Sequence, residues 1–243
     1  MYGSGLKGLS RKRKNKKLMM RQLGLPISLD SKLLLSNFLG DKNQSLLTFI
    51  DVLFGNNDSS VVFISGANSS GKTHVLQGCV FKALNLGLSA MYVDIKQTLP
   101  AGFLNTLSDF DWVCVDNIDQ LDDTQQQELF DLYNQIKHTN TKLVASALVL
   151  PSELELLKDL KTRLSLSVVF SLEQLTDLEK IELIKLKMKD KNLDIDEKVY
   201  TYLFKVYSRD LTTILLAIDR LDQESLQQKS VISIPFTKKI LNI

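Results

Sequence analysis

Residues 61–73 read VVFISGANSSGKT, an apolar run followed by a polar loop bounded by glycines. Residues 66–73 satisfy the spacing G-x-x-x-x-G-K-[ST] in full. In this pattern the glycines let backbone N–H groups turn inward around phosphate oxygens, and the helix that follows aims its positive end at the anion. A chance glycine loop is the alternative, but the apolar run before the loop and the helical pattern over 72–85 favour a phosphate-binding P-loop. Its residues are Gly66, Ala67, Asn68, Ser69, Ser70, Gly71, Lys72 and Thr73.

The motif assigns a role to two of these side chains and indicates a third downstream. Lys72 is expected to contact the β- and γ-phosphates, and the Thr73 hydroxyl is expected to bind Mg²⁺. Residues 111–119 read DWVCVDNID, in which Asp116 leaves an apolar strand as a Walker B aspartate does to hold the metal. Taken alone, Asp116 would fit an ordinary strand end; about 45 residues after an intact P-loop, it favours the metal role.

Asn117 follows Asp116, where active ATPases of the AAA+ class usually carry an acid that activates the attacking water. An amide cannot take a proton at neutral pH. The sequence therefore predicts that Asn117 lies at the nucleotide, which is bound well and hydrolysed poorly by this chain alone. Asp119, Asp122 and Asp123 lie close by, without a geometry that would place them on the water.

Strands and helices alternate through the first two thirds of the chain, which predicts an α/β fold with a parallel five-stranded sheet covered on both faces. The expected strands are 61–65, 90–95, 112–116, 142–147 and 168–172, and helices are expected over 46–54, 72–85 and 124–137. After residue 172 only helices are expected, capped by Thr176, Asp196 and Ser208, with Pro235 in the first turn of a last one. These helices would form a small lid domain.

The expected organisation is a basic tail over 1–20, a short extended segment over 21–30, a nucleotide-binding domain over 31–172 and the helical lid over 173–243. The net charge of +2 is unevenly spread: residues 1–18 hold seven basic residues and no acid, leaving 23 basic against 28 acidic residues elsewhere. Strong direct DNA binding by the body is therefore disfavoured. The tail reads as a solvated segment, with a nucleic-acid arm as the alternative.

The two cysteines, Cys79 and Cys114, match no metal motif and read as buried thiols of a reducing cytoplasm. The sequence contains no run of about 18 apolar residues, so no membrane-spanning helix is expected. The first 20 residues lack the apolar core of a signal peptide. We therefore expect a cytoplasmic protein without membrane contact.

The order of the P-loop, DNID at 116–119, LKTRL at 160–164 and an SRDL-started helix at 208 resembles the DnaA-related AAA+ family. Within it, SNFLGDKNQSLL at 36–47, FDLYNQI at 130–136 and SIPFTKKIL at 233–241 are similar to the Hda group, the regulatory inactivators of DnaA. The similarity covers about residues 21–241. Hda-type P-loops are often degenerate, whereas this one is intact, which leaves open how readily this chain hydrolyses ATP.

The resemblance implies roles for residues that no local pattern assigns. Arg163 matches the family's arginine finger, which enters the nucleotide site of a neighbouring DnaA; the alternative is a surface arginine paired with Asp159. Arg209 matches the sensor-II arginine that reaches the phosphates of its own nucleotide; the alternative is a helix-end charge beside Asp210. The segment Phe38, Leu39, Gly40 and Asp41 would line the adenine.

The resemblance also implies a docking motif for the replication sliding clamp, the β subunit of DNA polymerase III. Its residues are Gln22, Leu23, Gly24, Leu25 and Pro26. In an extended peptide the two leucines would enter an apolar pocket and the Gln22 amide would bind at its rim. The alternative is a hydrophobic lead-in that packs on its own domain.

Together these expectations describe an Hda-like regulator of replication initiation with DnaA and the clamp as partners. It would bind ADP or ATP with Mg²⁺, sit on the clamp and stimulate hydrolysis of the ATP bound to DnaA, and a homodimer is left open. The rivals are an autonomous ATPase, such as a helicase or transposase loader, and an adaptor that only tethers DnaA to the clamp.

Overall fold

Five parallel strands form one sheet in the order β2-β3-β4-β1-β5 in a computed structural model that describes residues 29–31, 33–38 and 41–243, without the side chains of Asp41 and Thr212. The strands are β1 (Ser60–Ser65), β2 (Ala90–Asp94), β3 (Trp112–Asp116), β4 (Lys142–Ala147) and β5 (Val168–Ser171). The expected strands agree with these to within one residue at each end, because each is a short apolar run between turn residues.

Four helices accompany the sheet: α1 (Gln44–Phe54), α2 (Lys72–Asn85), α3 (Asp123–Ile136) and α4 (Lys158–Ser165). Alternate side chains of β1, β2, β3 and β4 enter two separate cores. Phe63, Val113 and Val115 pack with α3 and α4 on one face, whereas Ile64 and Cys114 pack with α1 and α2 on the other. The predicted α/β fold with helices on both faces is confirmed.

The helical lid follows β5 as α5 (Asp177–Asp190), α6 (Glu197–Val206), α7 (Leu211–Gln228) and α8 (Ile234–Leu241), which share one hydrophobic core. Thr176 and Asp196 cap their helices as expected. The expected cap at Ser208 is wrong: Asp210 caps α7, and its carboxylate accepts the Thr213 N–H at 2.8 Å. Among the described residues, no helix is both long and apolar enough to cross a bilayer.

A buried asparagine ties the segment before α1 to the chain that leads into the lid. The Asn43 side chain donates to the Glu173 carbonyl at 3.2 Å and accepts the Glu173 N–H at 3.1 Å. Asn43 is 4% exposed, so neither partner could be replaced by bulk water without rearrangement. The pair therefore holds the chain where it leaves the sheet.

Replacing Asn43 with Ala is expected to lower the free energy of unfolding by about 1–3 kcal/mol, because two hydrogen bonds between the buried Asn43 side chain and the Glu173 backbone are lost. Urea unfolding followed by circular dichroism measures this, with Ser45→Ala on the exposed side of α1 as the matched control. A midpoint for Asn43→Ala equal to that of the control would contradict the role of this contact.

Candidate nucleotide-binding site

The P-loop connects the end of β1 to the start of α2 through two left-handed residues, Ser69 (φ 60°) and Gly71 (φ 100°). A Cβ atom at Gly71 would lie 2.7 Å from the Phe38 ring, so a side chain there would be both strained and obstructed. The glycine spacing read from the sequence thus has a local cause. It lets the backbone turn tightly in front of α2, whose N-terminus carries unsatisfied N–H groups.

Lys72 lies inside the loop, with its ammonium 2.6 Å from the Gly66 carbonyl oxygen and 3.0 Å from that of Ala67. Only 7% of the residue is exposed. Burial lowers the pKa of Lys72, and the negative charges of Asp116 and Asp119 oppose that shift. Burial deprives the ammonium of solvation, and the negative charge of a phosphate group would compensate for that loss. The lysine therefore suits an anionic ligand.

The loop also contains a buried polar atom without a partner. Among the described residues, the Ser70 hydroxyl oxygen has no hydrogen bond, although it is shielded from solvent. A buried hydroxyl normally finds a partner, and an unsatisfied one inside a glycine-rich turn suggests a polar ligand. Together with Lys72 and the α2 N-terminus, the loop fits a phosphate group.

Asp116 is fully buried at the end of β3 and accepts hydrogen bonds from four groups. The Thr73 hydroxyl donates at 2.6 Å and the Tyr92 hydroxyl at 2.9 Å, both to Oδ2. The Ser146 hydroxyl and the Asn117 N–H donate to Oδ1. The Thr73 hydroxyl and the Asp116 carboxylate, the two groups expected to hold Mg²⁺, are therefore in direct contact.

Asn117 adopts a left-handed conformation (φ 61°, ψ 43°), which asparagine tolerates better than most residues with a side chain. The bend turns its amide sideways toward β2, where Nδ2 donates to Asp94 Oδ1 at 2.8 Å. Asp94 and Asp116 are register partners at the ends of adjacent parallel strands. The amide that replaces an acid is thus bonded to an acid on the next strand.

A cavity of about 390 Å³ opens above the loop and extends to the lid. This volume lies in the range of small-molecule sites. The phosphate-side lining contains Ser70, Lys72, Thr73, Asp94, Lys96 and Asn117, and the apolar end contains Leu33, Phe38, Leu175, Leu183, Leu211 and Leu215. A polar end and an apolar end in one cavity match the two ends of a nucleotide.

His74 packs against Phe38 in the lining of this cavity. Their rings meet edge to face with centroids 5.4 Å apart. His74 Nε2 lies 2.8 Å from the Leu34 carbonyl oxygen, which can only accept, so this nitrogen carries the proton. Burial lowers the pKa of His74, with the Leu34 carbonyl opposing. Phe38 is thereby held beside the cavity, where an adenine contact was expected.

The lid contacts the P-loop directly. Asp210 Oδ1 accepts from the Ser69 hydroxyl at 2.7 Å, and Gln174 Nε2 donates to the Asn68 carbonyl at 3.2 Å. The Thr213 N–H and the Ser69 hydroxyl both lower the pKa of Asp210. The residue that caps α7 therefore also bonds to the phosphate loop.

Two arginines with expected roles lie away from the cavity lining. The Arg209 side chain is 80% exposed and its Nε lies 3.9 Å from an Asp177 carboxylate oxygen. Arg163 lies half-buried on α4, and its guanidinium has no hydrogen bond or ion pair within the described part of the chain, so the alternative pair with Asp159 is not formed there. Leu39, Gly40 and the segment Gln22–Pro26 lie outside the described residues, as does the Asp41 side chain.

Sequence reasoning missed several residues of the site. Tyr92 and Asp94 on β2 and Ser146 on β4 lie at the carboxyl edge of the sheet. Polar residues near the ends of otherwise apolar parallel strands are a signal that could have identified them. The lid leucines carried no such signal, because their spacing is that of any helix core.

Comparison with known proteins places this architecture. The model of the Hda lid domain family matches residues 177–241. An uncharacterized protein of Haemophilus influenzae is 34% identical over 231 residues, covering 93% of this chain and 100% of that protein.

Solved structures share the fold at low identity. Domain III of the Thermotoga maritima replication initiation protein DnaA superposes with a TM-score of 0.75 at 19% identity, covering 88% of this chain and 98% of that one. AMPPCP-bound DnaA from Aquifex aeolicus superposes with a TM-score of 0.66 at 23% identity, covering 83% of this chain and 69% of that one. The Thermotoga maritima RuvB branch migration motor superposes with a TM-score of 0.67 at 16% identity, covering 86% of this chain and 71% of that one. The fold alone therefore does not separate an initiation protein from a branch migration motor.

Replacing Lys72 with Ala is expected to weaken ADP binding by about 2–5 kcal/mol, on the order of 30-fold or more, because a buried cation that pairs with phosphate is lost. Titration with a fluorescent ADP analogue measures the affinity. Lys82→Ala on the same helix, whose ammonium pairs with Asp51 at 2.6 Å, is the control. Equal ADP affinities for Lys72→Ala and Lys82→Ala would contradict a role of the P-loop in nucleotide binding.

Proposed function

This chain belongs to the Hda-like, DnaA-related AAA+ proteins, and from that premise we propose that it switches off replication initiation by stimulating hydrolysis of DnaA-bound ATP. It is a DnaA-related replication regulator, and we propose the mechanism by which it acts. Bound to nucleotide and to the DNA-loaded clamp, it presents Arg163 to the triphosphate of a neighbouring DnaA. The guanidinium stabilises charge on the transferring phosphoryl group, which leaves DnaA bound to ADP.

The observation that carries the proposal is an arginine without a partner on a firmly held helix. Leu160 and Leu164 of α4 are fully buried, which anchors the helix on the sheet. Arg163 lies between them in sequence, half-exposed and, in the described part of the chain, without an ion pair. An arginine held in this way can pair with phosphate oxygens of another molecule without breaking a bond first.

The start of α4 is held by a buried amide from α3. Gln126 Oε1 accepts the Leu157 N–H at 2.8 Å, and Gln126 Nε2 donates to the Leu121 carbonyl at 3.2 Å. Gln126 is 7% exposed. A finger must hold its position closely to act on a transition state, and this contact supplies rigidity.

Apolar side chains surround α4 at the surface. Leu157 and Leu166 flank the helix, and Leu148, Val149 and Leu150 precede the turn that packs on it; all five are exposed. Exposed apolar groups next to an arginine are typical of protein interfaces. They support a contact between this face and DnaA.

In this proposal the chain's own pocket is a scaffold for ADP or ATP. The phosphates would lie in the loop of residues 66–73, and Thr73 and Asp116 would hold Mg²⁺ together with phosphate oxygens, which this ion prefers. Mg²⁺ would supply charge neutralisation. The described residues include no group of three or more His, Cys, Asp or Glu side chains that could hold a metal ion.

The lid is proposed to report on that nucleotide. Arg209 precedes the cap Asp210, which bonds to Ser69 of the P-loop. The Arg209 side chain is largely exposed and only loosely paired, so its rotation toward the phosphates costs little. Such a rotation would bring it to the sensor-II position and link the lid to the nucleotide.

Clamp binding rests on the sequence of residues 22–26, and the homodimer likewise stays a proposal. The motif precedes the first described residue, Leu29, by three positions, so an extended peptide there would extend from the nucleotide-binding domain. Clamp docking would raise the effective concentration of the regulator near replicating DNA.

Substituting Arg163 with Ala is expected to reduce the stimulated hydrolysis of DnaA-bound ATP by about 10³–10⁵-fold, the contribution of a finger supplied in trans. Hydrolysis is measured with labelled ATP on DnaA, DNA-loaded clamp and ADP-loaded regulator. Lys161→Ala on the same helix is the control, and ADP affinity should stay unchanged in both variants. Stimulation by Arg163→Ala equal to that of the control would favour the adaptor instead, and steady multiple turnover without DnaA would favour the loader.

Replacing Leu23 and Leu25 together with Ser is expected to abolish binding to the clamp, because the apolar side chains that enter its pocket are lost. Surface plasmon resonance on immobilised clamp measures the affinity. ADP binding should remain unchanged, since these residues precede the nucleotide-binding domain. Retained clamp affinity would support the lead-in alternative.

A further inference from the structure

A nucleotide site that hydrolyses ATP carries a group that orients the attacking water, and a carboxylate in that role can also take its proton. Position 117 holds an amide, which can orient water but cannot take the proton. The three carboxylates that follow in sequence are directed elsewhere. Asp119 accepts from the Leu148 N–H and from Gln120, Asp122 caps α3 through the Gln125 N–H, and Asp123 is exposed in the first turn of α3.

Asp116 is equally engaged, because both of its oxygens accept hydrogen bonds beneath Thr73. Among the described residues that line the cavity, Asp94 is the carboxylate, and it shares the lining with Lys72, Thr73 and Asn117. Its position at the end of β2 follows from the parallel register that pairs it with Asp116. A negative group therefore faces the phosphate end from the neighbouring strand.

The two oxygens of Asp94 differ in their environment. Oδ1 accepts from Asn117 Nδ2 at 2.8 Å and from the Lys96 N–H at 3.1 Å. Oδ2 has no hydrogen bond within the described part of the chain. The side chain is thus fixed through one oxygen while the other is available to a ligand or water in the cavity.

We propose that Asp94 is a catalytic residue of this chain and supports a slow hydrolysis of its own bound ATP. The water oxygen forms a bond to the γ-phosphorus, the bond from that phosphorus to the β,γ-bridging oxygen breaks, and the water proton passes to Asp94 Oδ2. The products are ADP and inorganic phosphate. The reaction is slow because the Asn117 amide and the Lys96 N–H hold the other oxygen, so only one oxygen of a fixed carboxylate can meet the water.

This inference rests on the nucleotide site of the proposed function and deepens it. A chain that converts its own ATP once and keeps the product would reach the ADP-bound state without DnaA or clamp. The relocated carboxylate would then set the nucleotide state of the regulator, while Arg163 acts on the partner. A single slow conversion differs from the steady turnover expected of a motor.

The experiment compares single-turnover hydrolysis of bound ATP by the full chain in four forms: native, Asp94→Asn, the exchange variant Asp94→Asn with Asn117→Asp, and Asp123→Asn. Asp94→Asn should lower the rate at least tenfold, since general base catalysis contributes about 10²–10⁴-fold. The exchange variant keeps one amide bonded to one carboxylate and should recover part of the rate. Asp123→Asn removes an exposed charge of α3 that lies outside the cavity lining and should leave the rate within about twofold.

A second measurement does not depend on turnover. Affinity for ADP should stay within about twofold in Asp94→Asn, whereas affinity for ADP with aluminium fluoride, which mimics the transferring phosphoryl group, should fall about tenfold, since an interaction made in the transition state is lost. Intact ADP affinity also shows that the variant is folded. Equal hydrolysis and equal aluminium fluoride affinity in native and Asp94→Asn chains would overturn the proposal, as would native hydrolysis no faster than the protein-free background.

The two proposals fail separately. ADP-loaded Asp94→Asn should stimulate hydrolysis by DnaA as the native chain does, because the finger needs ADP in the site and not the means of making it. Loss of basal hydrolysis with intact stimulation supports Asp94 and the regulator together. Intact basal hydrolysis in Asp94→Asn overturns only this inference, whereas absence of any stimulation by the ADP-loaded native chain overturns only the proposed function.

Discussion

The hydrogen bonds to the buried Asp116 carboxylate hold the nucleotide site together. Asp116 receives Thr73 from the helix after the P-loop, Tyr92 from β2 and Ser146 from β4. A carboxylate with no solvent contact is costly unless its oxygens are satisfied, so these donors and the acid require one another. The contact joins the phosphate loop to the ends of three strands.

Because Asp116 already has its hydrogen-bond donors, the residue next to it can differ from that of an active ATPase while the nucleotide site keeps its structure. Of Asn117 only the backbone N–H bonds to Asp116, so its side chain can turn through the left-handed bend to Asp94. The binding of phosphate and the activation of water are thus served by different groups. A nucleotide can be retained by a chain whose main catalytic effect falls on another protein.

The lid adds a second connection between nucleotide and surface. Asp210 begins α7 and bonds to Ser69 in the loop, so a ligand that moves the loop acts on the start of a lid helix. On the opposite face of the sheet, the buried Gln126 bonds to Leu157 at the start of α4, the helix that carries Arg163. One rigid sheet therefore carries the site for its own nucleotide at one edge and the proposed finger at the surface.

Residues 66–73 and Asp116 could be identified without coordinates, because their roles depend on local backbone geometry and on an apolar run that ends in an acid. The strands and most helices were predictable for the same reason, since each is a periodic apolar pattern between turn residues. The Ser208 cap was wrong because Ser208 and Asp210 both suit a helix start, and only the packed lid selects the one that also contacts Ser69.

The sequence by itself determined a P-loop fold with a helical lid, and the resemblance it carries pointed to Arg163 and to residues 22–26. Only the tertiary structure decided that Asp94 lies against Asn117, that Asp210 bonds to the loop and that Arg163 is unpaired in the described part of the chain. The physical reason is that these contacts join residues 23 to 141 positions apart. Such contacts depend on strand register and on lid packing, which no local pattern encodes.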